Sequence, residues 1–188
     1  MSEERDWFHV VAEQKCEECG LTASALAQGE LAGAIFEEAR RWTAFLMEHH
    51  QLDRLRQRPR HGEWSPLEYA AHVRDVLGLF QERVALALVQ PEPEFGWWDH
   101  EAAAVDDGYN EQDPRVVAAA LEANARRLGM TLPSPGDPAW QRAGTRRGRE
   151  RFTVGGLARF ALHEARHHRI DAERGGTDGQ AAAATTAS

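Results

Sequence analysis

The sequence predicts an all-α fold, a four-helix bundle with long loops after its second and third helices. Three observations carry this. Four segments repeat apolar residues at helical spacing, two of them open on a cap residue followed directly by proline, and no stretch between them alternates as a strand would.

The first helix is expected to begin at Thr22 or Gly29 and end at His49, with Leu31, Ile35, Ala39, Trp42 and Leu46 forming its apolar stripe. Gly29 and Gly33 weaken its start. The second is the best marked: Ser65 caps it, Pro66 takes the first helical position and Glu68 closes a capping box. Ala70, Val73, Val76, Leu77, Phe80 and Val84 follow, and the helix should stop near Gln90, before Pro91 and Pro93. Asp113 and Pro114 repeat the signal for a third helix carrying Val117, Leu121, Ala125 and Leu128, with Glu122 and Arg126 on its polar face and Gly129 as its end. Thr153 is read as the cap of the fourth, which runs through Leu157, Phe160, His163, His167 and Ile170 to Arg174, where Gly175 and Gly176 stop it. Residues 92–112 and 130–152 are long Pro/Gly-punctuated loops, expected to border one pocket. This divides the chain into an N-terminal extension (1–21), the bundle (22–175) and a Gly/Ala/Thr tail (176–188) expected to be disordered.

At 188 residues and 42% hydrophobic content the chain can bury one core. Its formal charge of −8 argues against a nucleic-acid or anionic-membrane surface. No run approaches the ~20 apolar residues of a membrane span, and residues 1–14 lack the apolar core of a signal peptide, so a cytoplasmic protein is expected.

His72 lies on the second helix, above Val76 and Leu79, and His163 and His167 lie four residues apart on the fourth, on a face shared with Phe160 and edged by Ile170. Residues at i and i+4 stack on a helix, so two imidazoles can grip one ion and a third can reach it from a facing helix. A single inward histidine is more often a core residue with one hydrogen-bond partner. Two stacked in one groove would repel if protonated and bury polar nitrogens if neutral, whereas a divalent ion satisfies both. Three imidazoles leave coordination positions open, as at a catalytic metal. Zinc or nickel suits such donors first, with iron or manganese also compatible. His168, about 100° round the helix, is expected at the surface or behind the ligands. Asp75 and Asp171, three residues beyond His72 and four beyond His167, are candidates to orient an imidazole through its other nitrogen; solvated helix charges are the alternative.

The stretches Trp64-Ser65-Pro66-Leu67-Glu68-Tyr69-Ala70-Ala71-His72-Val73-Arg74-Asp75 and His163-Glu164-Ala165-Arg166-His167-His168-Arg169-Ile170-Asp171 resemble the two signature helices of the DinB-like superfamily. The resemblance covers most of the chain and implies a four-helix bundle in which one histidine of the second helix and two of the fourth bind a divalent metal. Position by position these would be His72, His163 and His167. The superfamily includes thiol-dependent enzymes, among them mycothiol-dependent maleylpyruvate isomerase and the bacillithiol transferases, as well as many members without known activity. Its members are often dimeric, so a homodimer is expected.

Other signals compete. His163-Glu164-Ala165-Arg166-His167 also fits the zinc-protease pattern, with Glu164 as the base that activates water, but it needs a third ligand and an edge strand to align a peptide. Cys16-Glu17-Glu18-Cys19 has the spacing of half a zinc clip or of a redox pair; with no second pair, two ordinary cysteines is the plainer expectation. Nearby Glu13, Glu17 and Glu18 should oppose a lowered thiol pKa. Trp97 and Trp98 can anchor their loop or wall a pocket for a flat ligand. Arg146, Arg147 and Arg149, with Arg142 and Arg151, precede the fourth helix and suit a carboxylate or phosphate, or form a solvated basic loop.

Taken together, the sequence is read as a metal-dependent enzyme acting on a low-molecular-weight thiol such as mycothiol, or its adduct, with thiol use implied by the resemblance alone. His72, His163 and His167 are the expected ligands, Glu164 and Asp75 the acid/base candidates, and Trp97, Trp98, Arg146, Arg147 and Arg149 the substrate contacts. The alternative is a non-catalytic metal- or small-ligand-binding module.

Overall fold

The computed structural model describes residues 14–48, 52–148 and 150–185, with side chains as far as Gly175. Four long helices make the bundle: α1 (Gln28–Glu48), α3 (Pro66–Val89), α5 (Pro114–Thr131) and α6 (Val154–Thr185). Short helices α2 (Leu52–Arg56) and α4 (His100–Asp106) interrupt the connections. α1 and α3 each pack against both α5 and α6, so α1 stands across the diagonal from α3, and α5 from α6. The His72 helix thereby lies directly against the helix carrying residues 163–171. Among the described residues, no helix is long and apolar enough to cross a membrane.

The helix starts follow their caps. Ser65 Oγ accepts from the Glu68 N–H (3.2 Å), and Glu68 accepts in return from the Ser65 N–H (2.8 Å). Arg58 Nε also donates to this buried carboxylate (2.8 Å), which fixes the first turn of α3. Asp113 accepts from the Arg115 N–H (2.8 Å), and Thr153 from the Gly156 N–H (2.9 Å).

The ends differ from expectation where a glycine serves packing instead of termination. α5 continues past Gly129 because that residue lies against α1: an added Cβ would stand 3.3 Å from Ala32 Cβ. The helix ends at Thr131, ahead of Pro133. α6 likewise passes Gly175 and Gly176 to reach Thr185. Gly175 is where Pro59 approaches, within 3.1 Å of an added Cβ.

A short antiparallel hairpin, β1 (Ala143–Arg146) and β2 (Glu150–Thr153), occupies the loop before α6. Its strands are too short for alternation to be legible in the sequence. Phe95 N–H donates to Thr145 O (2.7 Å) and Thr145 N–H to Pro93 O (2.8 Å), so the tryptophan loop is laced onto β1. Gly144 permits this: a Cβ there would lie 2.3 Å from the Phe95 ring and 2.6 Å from Pro93 O.

The core holds the apolar stripes of all four long helices, with Leu31, Ile35, Trp42, Leu77, Leu121 and Leu157 at 2% exposure or less. Trp42 Nε1–H donates to Ala165 O (2.8 Å), and the buried Glu38 accepts from Arg169 (3.0 Å). These two contacts from α1 set the rotation of α6 about its own axis, and with it the direction in which each histidine points.

Candidate metal centre and its pocket

α6 offers two i, i+4 pairs rotated by one residue, and the bundle separates them. Glu164 and His168 turn toward α3, where each can bring one donor atom within 4.8 Å of the other and of His72. His163 and His167 turn toward the N-terminal segment, where the same holds with Cys16 and Cys19. His72 is thus grouped with Glu164 and His168 and not with His163 and His167. The physical reason is the 100° step between successive helical residues, since the register of α6 aims Glu164 and His168, not His163 and His167, at α3.

Within the first group, Glu164 Oε2 lies 3.5 Å from His72 Nε2 and 3.4 Å from His168 Nε2. Behind His168, Asp171 Oδ2 stands 3.3 Å from Nδ1, a carboxylate placed to fix the ring and leave Nε2 facing the cluster. Stacking holds the rings: Trp98 lies over His72 (5.5 Å, 11°) and Tyr69 over His168 (5.3 Å, 22°). Burial alone would raise Glu164, but His163, His168 and His72 hold its carboxylate well below the usual range. Burial pushes His72 down. Burial would also lower His168, but hydrogen bonds to Asp171 and Glu164 raise it to about 9. The donor set fits a divalent ion. It comprises two imidazoles and an ionised carboxylate, and His72 Nδ1 is buried with no hydrogen-bond partner among the described residues.

In the second group Cys16 Sγ lies 3.5 Å from His167 Nδ1. The expectation that glutamates would keep these thiols ordinary is overturned for Cys16. Burial raises it, but the Cys19 N–H and the imidazoles of His163 and His167 outweigh that and bring it to about 6. Cys19, more deeply buried and beside the first sulfur, is pushed up to about 11. This arrangement also divides the zinc-protease pattern: its histidines group with the cysteines, while Glu164 turns Oε2 to His72 and His168 and keeps Oε1 3.5 Å from His163 Nδ1.

The first group opens into a cavity of about 400 Å³. Both long loops border it, as expected, with Trp97 and Trp98 from one and Arg146 and Phe152 from the other. Arg146 reaches over the Trp97 and Phe152 rings and pairs with Glu150 (2.6 Å). Arg147 stacks on Trp97 at 3.8 Å from its centroid, outside the cavity lining. Arg149 lies outside the described residues. Asp75 takes no part beside His72: its oxygens accept from the Tyr109 hydroxyl (2.6 Å) and from Arg74 (2.7 Å). Asp171, by contrast, does orient an imidazole, chiefly that of His168.

Sequence reasoning missed His168 as a cluster member and Arg83 as a pocket residue. Both had a signal. His168 stands four residues from Glu164 and three before Asp171, and Arg83 falls on the His72 face at i+4, i+7 and i+11 with Val76 and Leu79. Arg83 is only 6% exposed, and its Nη2 donates to Gly96 O (2.9 Å). Its Nε is buried with no hydrogen-bond partner among the described residues, and burial together with Arg146 pulls its pKa down to about 10.

Comparison with known proteins agrees with this architecture. No curated protein matches the chain. Among solved structures it is similar to YfiT from Bacillus subtilis, described as a probable metal-dependent hydrolase with an unusual four-helix bundle topology. The TM-score is 0.68 at 18% identity, covering 78% of this chain and 86% of YfiT. That likeness bears on the fold. The model of the DinB superfamily matches residues 35–172, which take in α3 and α5 whole, parts of α1 and α6 and every residue of the pocket cluster, and the chain belongs to that superfamily.

Proposed function

We propose that this protein is a metal-dependent enzyme that joins a low-molecular-weight thiol to, or removes it from, a small anionic substrate with a flat or apolar body. The observation that carries the reading is the convergence of His72, Glu164 and His168 on a cavity that also presents two guanidinium groups, Arg83 and Arg146, among aromatic walls. A divalent ion held by those three side chains, zinc or nickel by its donors, would supply the Lewis acidity that lowers the pKa of a thiol or a water.

The remaining work falls to the chain itself. Arg83 is buried and has a nitrogen to spare, so a substrate carboxylate would satisfy it. Arg146, held over Trp97 and Phe152, offers a second positive charge on the same wall. Trp64 and Trp98 flank His72, hold its ring and keep water from the cluster. Asp171 fixes the tautomer of His168. The choice of a thiol as nucleophile rests on the superfamily's thiol-dependent members. A second reading, hydrolysis, is favoured by the donor set itself, because two histidines and a glutamate are the ligands of several zinc hydrolases. The description of YfiT points the same way.

The test is turnover by the metal-loaded protein on two substrate sets: an electrophilic unsaturated carboxylate with and without a low-molecular-weight thiol, and an aromatic carboxylate ester with no thiol. Thiol-dependent turnover that is lost in His72→Ala, with a raised KM in Arg83→Met, supports the proposal. Ester cleavage without thiol replaces it with the hydrolytic reading. Metal binding with neither activity leaves a non-catalytic binding module and overturns both.

A further inference from the structure

The cluster on the other face of α6 is not used by the pocket, and its chemistry is distinct. We propose that Cys16, Cys19, His163 and His167 form a second, structural zinc site that fastens the N-terminal segment to α6. Four donors of the two kinds zinc favours lie within 4.8 Å of one another, and they complete a tetrahedron with no position left for substrate.

The distances suit an ion. Zinc–sulfur and zinc–nitrogen bonds of about 2.3 and 2.05 Å at the tetrahedral angle put sulfur and nitrogen about 3.6 Å apart. Cys16 Sγ and His167 Nδ1 are 3.5 Å apart. A thiol–imidazole hydrogen bond would account for that pair, but not for His163. This residue is 5% exposed; Glu164 Oε1 stands 3.5 Å from its Nδ1, and neither ring nitrogen makes a hydrogen bond among the described residues. With Nδ1 next to that carboxylate, Nε2 is left without a partner, and a buried imidazole nitrogen in that state is costly unless something is coordinated there.

The surroundings are built to match. Gly20, at a φ of 68°, closes a tight turn in which its N–H donates to Cys16 O (2.8 Å) and the Cys16 N–H to Leu21 O (2.8 Å). Around the sulfurs, the Cys19 N–H points at the Cys16 thiol and the Leu21 N–H at that of Cys19. Such donors stabilise bound thiolates. On the far side of His167, Nε2 faces carboxylates of Glu18 (3.4 Å) and Asp171 (3.5 Å), which leaves Nδ1 for the ion. Arg166 donates to Cys19 O (3.2 Å) and Arg174 to Glu18 O (3.0 Å), so the turn is already docked on α6 by its backbone. Zinc takes both sulfurs as thiolates and both imidazoles in the neutral form, so whatever protons these four groups carry pass to solvent and the ion is neutralised by two thiolates.

The experiment uses the full chain, reduced, reconstituted with zinc or with cobalt, in wild type, Cys16→Ser/Cys19→Ser and His72→Ala forms. Cobalt protein should show a thiolate-to-cobalt charge-transfer band that survives His72→Ala and disappears in the cysteine variant. Zinc content should fall by about one equivalent per chain in the cysteine variant, whatever the pocket holds. Should the cysteine variant not fold, alkylation of wild-type thiols decides: zinc should slow it by about tenfold or more at both cysteines. Absence of the band in reduced, cobalt-loaded wild type, or alkylation unaffected by zinc, would overturn the proposal. Either result stands apart from the fate of the pocket's ion, which His72→Ala reports.

Discussion

Asp171→Asn isolates what the carboxylate behind His168 contributes. Asp171 Oδ2 stands 3.3 Å from His168 Nδ1, so the aspartate selects the tautomer that presents Nε2 to Glu164 and His72. Asparagine keeps the shape, removes the charge and can turn its amide N–H toward the ring, favouring the wrong tautomer. Loss of such a partner lowers metal affinity by about 10–100-fold, equivalent to about 1.4–2.7 kcal/mol. Because Asp171 also faces His167 (3.5 Å), the measurement belongs in a Cys16→Ser/Cys19→Ser background, where only the pocket ion is read. Zinc Kd from competition with a chromophoric chelator is the assay. Asp75→Asn is the control. It should leave the Kd unchanged, since its carboxylate is engaged by Tyr109 and Arg74. An Asp171→Asn Kd within twofold of its parent would refute the assignment of the orienting role, as would an equal loss in Asp75→Asn.

Tyr109→Phe should lower stability by about 1.5–3 kcal/mol with no change in metal content, read by urea unfolding and elemental analysis, because a fully buried ring loses its 2.6 Å bond to a carboxylate. Gly144→Ala should destabilise by about 1–3 kcal/mol and raise KM, because its Cβ would strike Phe95 and Pro93 and loosen the tryptophan loop. In metal-free Cys16→Ser/Cys19→Ser protein, urea unfolding should show stability falling as pH rises. His168 is raised from 6.5 to about 9, so its contribution of about 3 kcal/mol is complete below pH ~6.5 and is lost as pH rises through about 9. His72, shifted the other way, adds stability only until its unfolded-state imidazole is neutral, above pH ~7.5, while His163, which burial would lower but Glu164 raises, adds to the fall. Stability flat or increasing from pH 7 to 9.5 in that variant would count against the charged His168–Asp171–Glu164 arrangement.

The bundle was legible because its signals are local. The Ser65–Glu68 capping box, the Asp113-Pro114 start and the period of Leu31, Ile35, Trp42 and Leu46 each depend on a few neighbouring residues. Glycine was harder to read. Gly129 and Gly175 look like helix stops in a sequence, but Ala32 and Pro59 approach them from elsewhere in the fold, which is a tertiary fact. The site was half legible for the same reason. The sequence places His72 on one helix and the His163–Asp171 run on another, but two i, i+4 pairs one residue apart differ only by the rotation of α6. That rotation is set by Trp42 on Ala165 O and Glu38 on Arg169. The cysteines were read as ordinary because their partners, His163 and His167, lie more than 140 residues along the chain.

The most direct test of the central claim is an anomalous diffraction map from crystals of the zinc-loaded protein. The account predicts a pocket peak bounded by His72, Glu164 and His168. A peak bounded instead by His72, His163 and His167, or none beside His72 at saturating zinc, would contradict it.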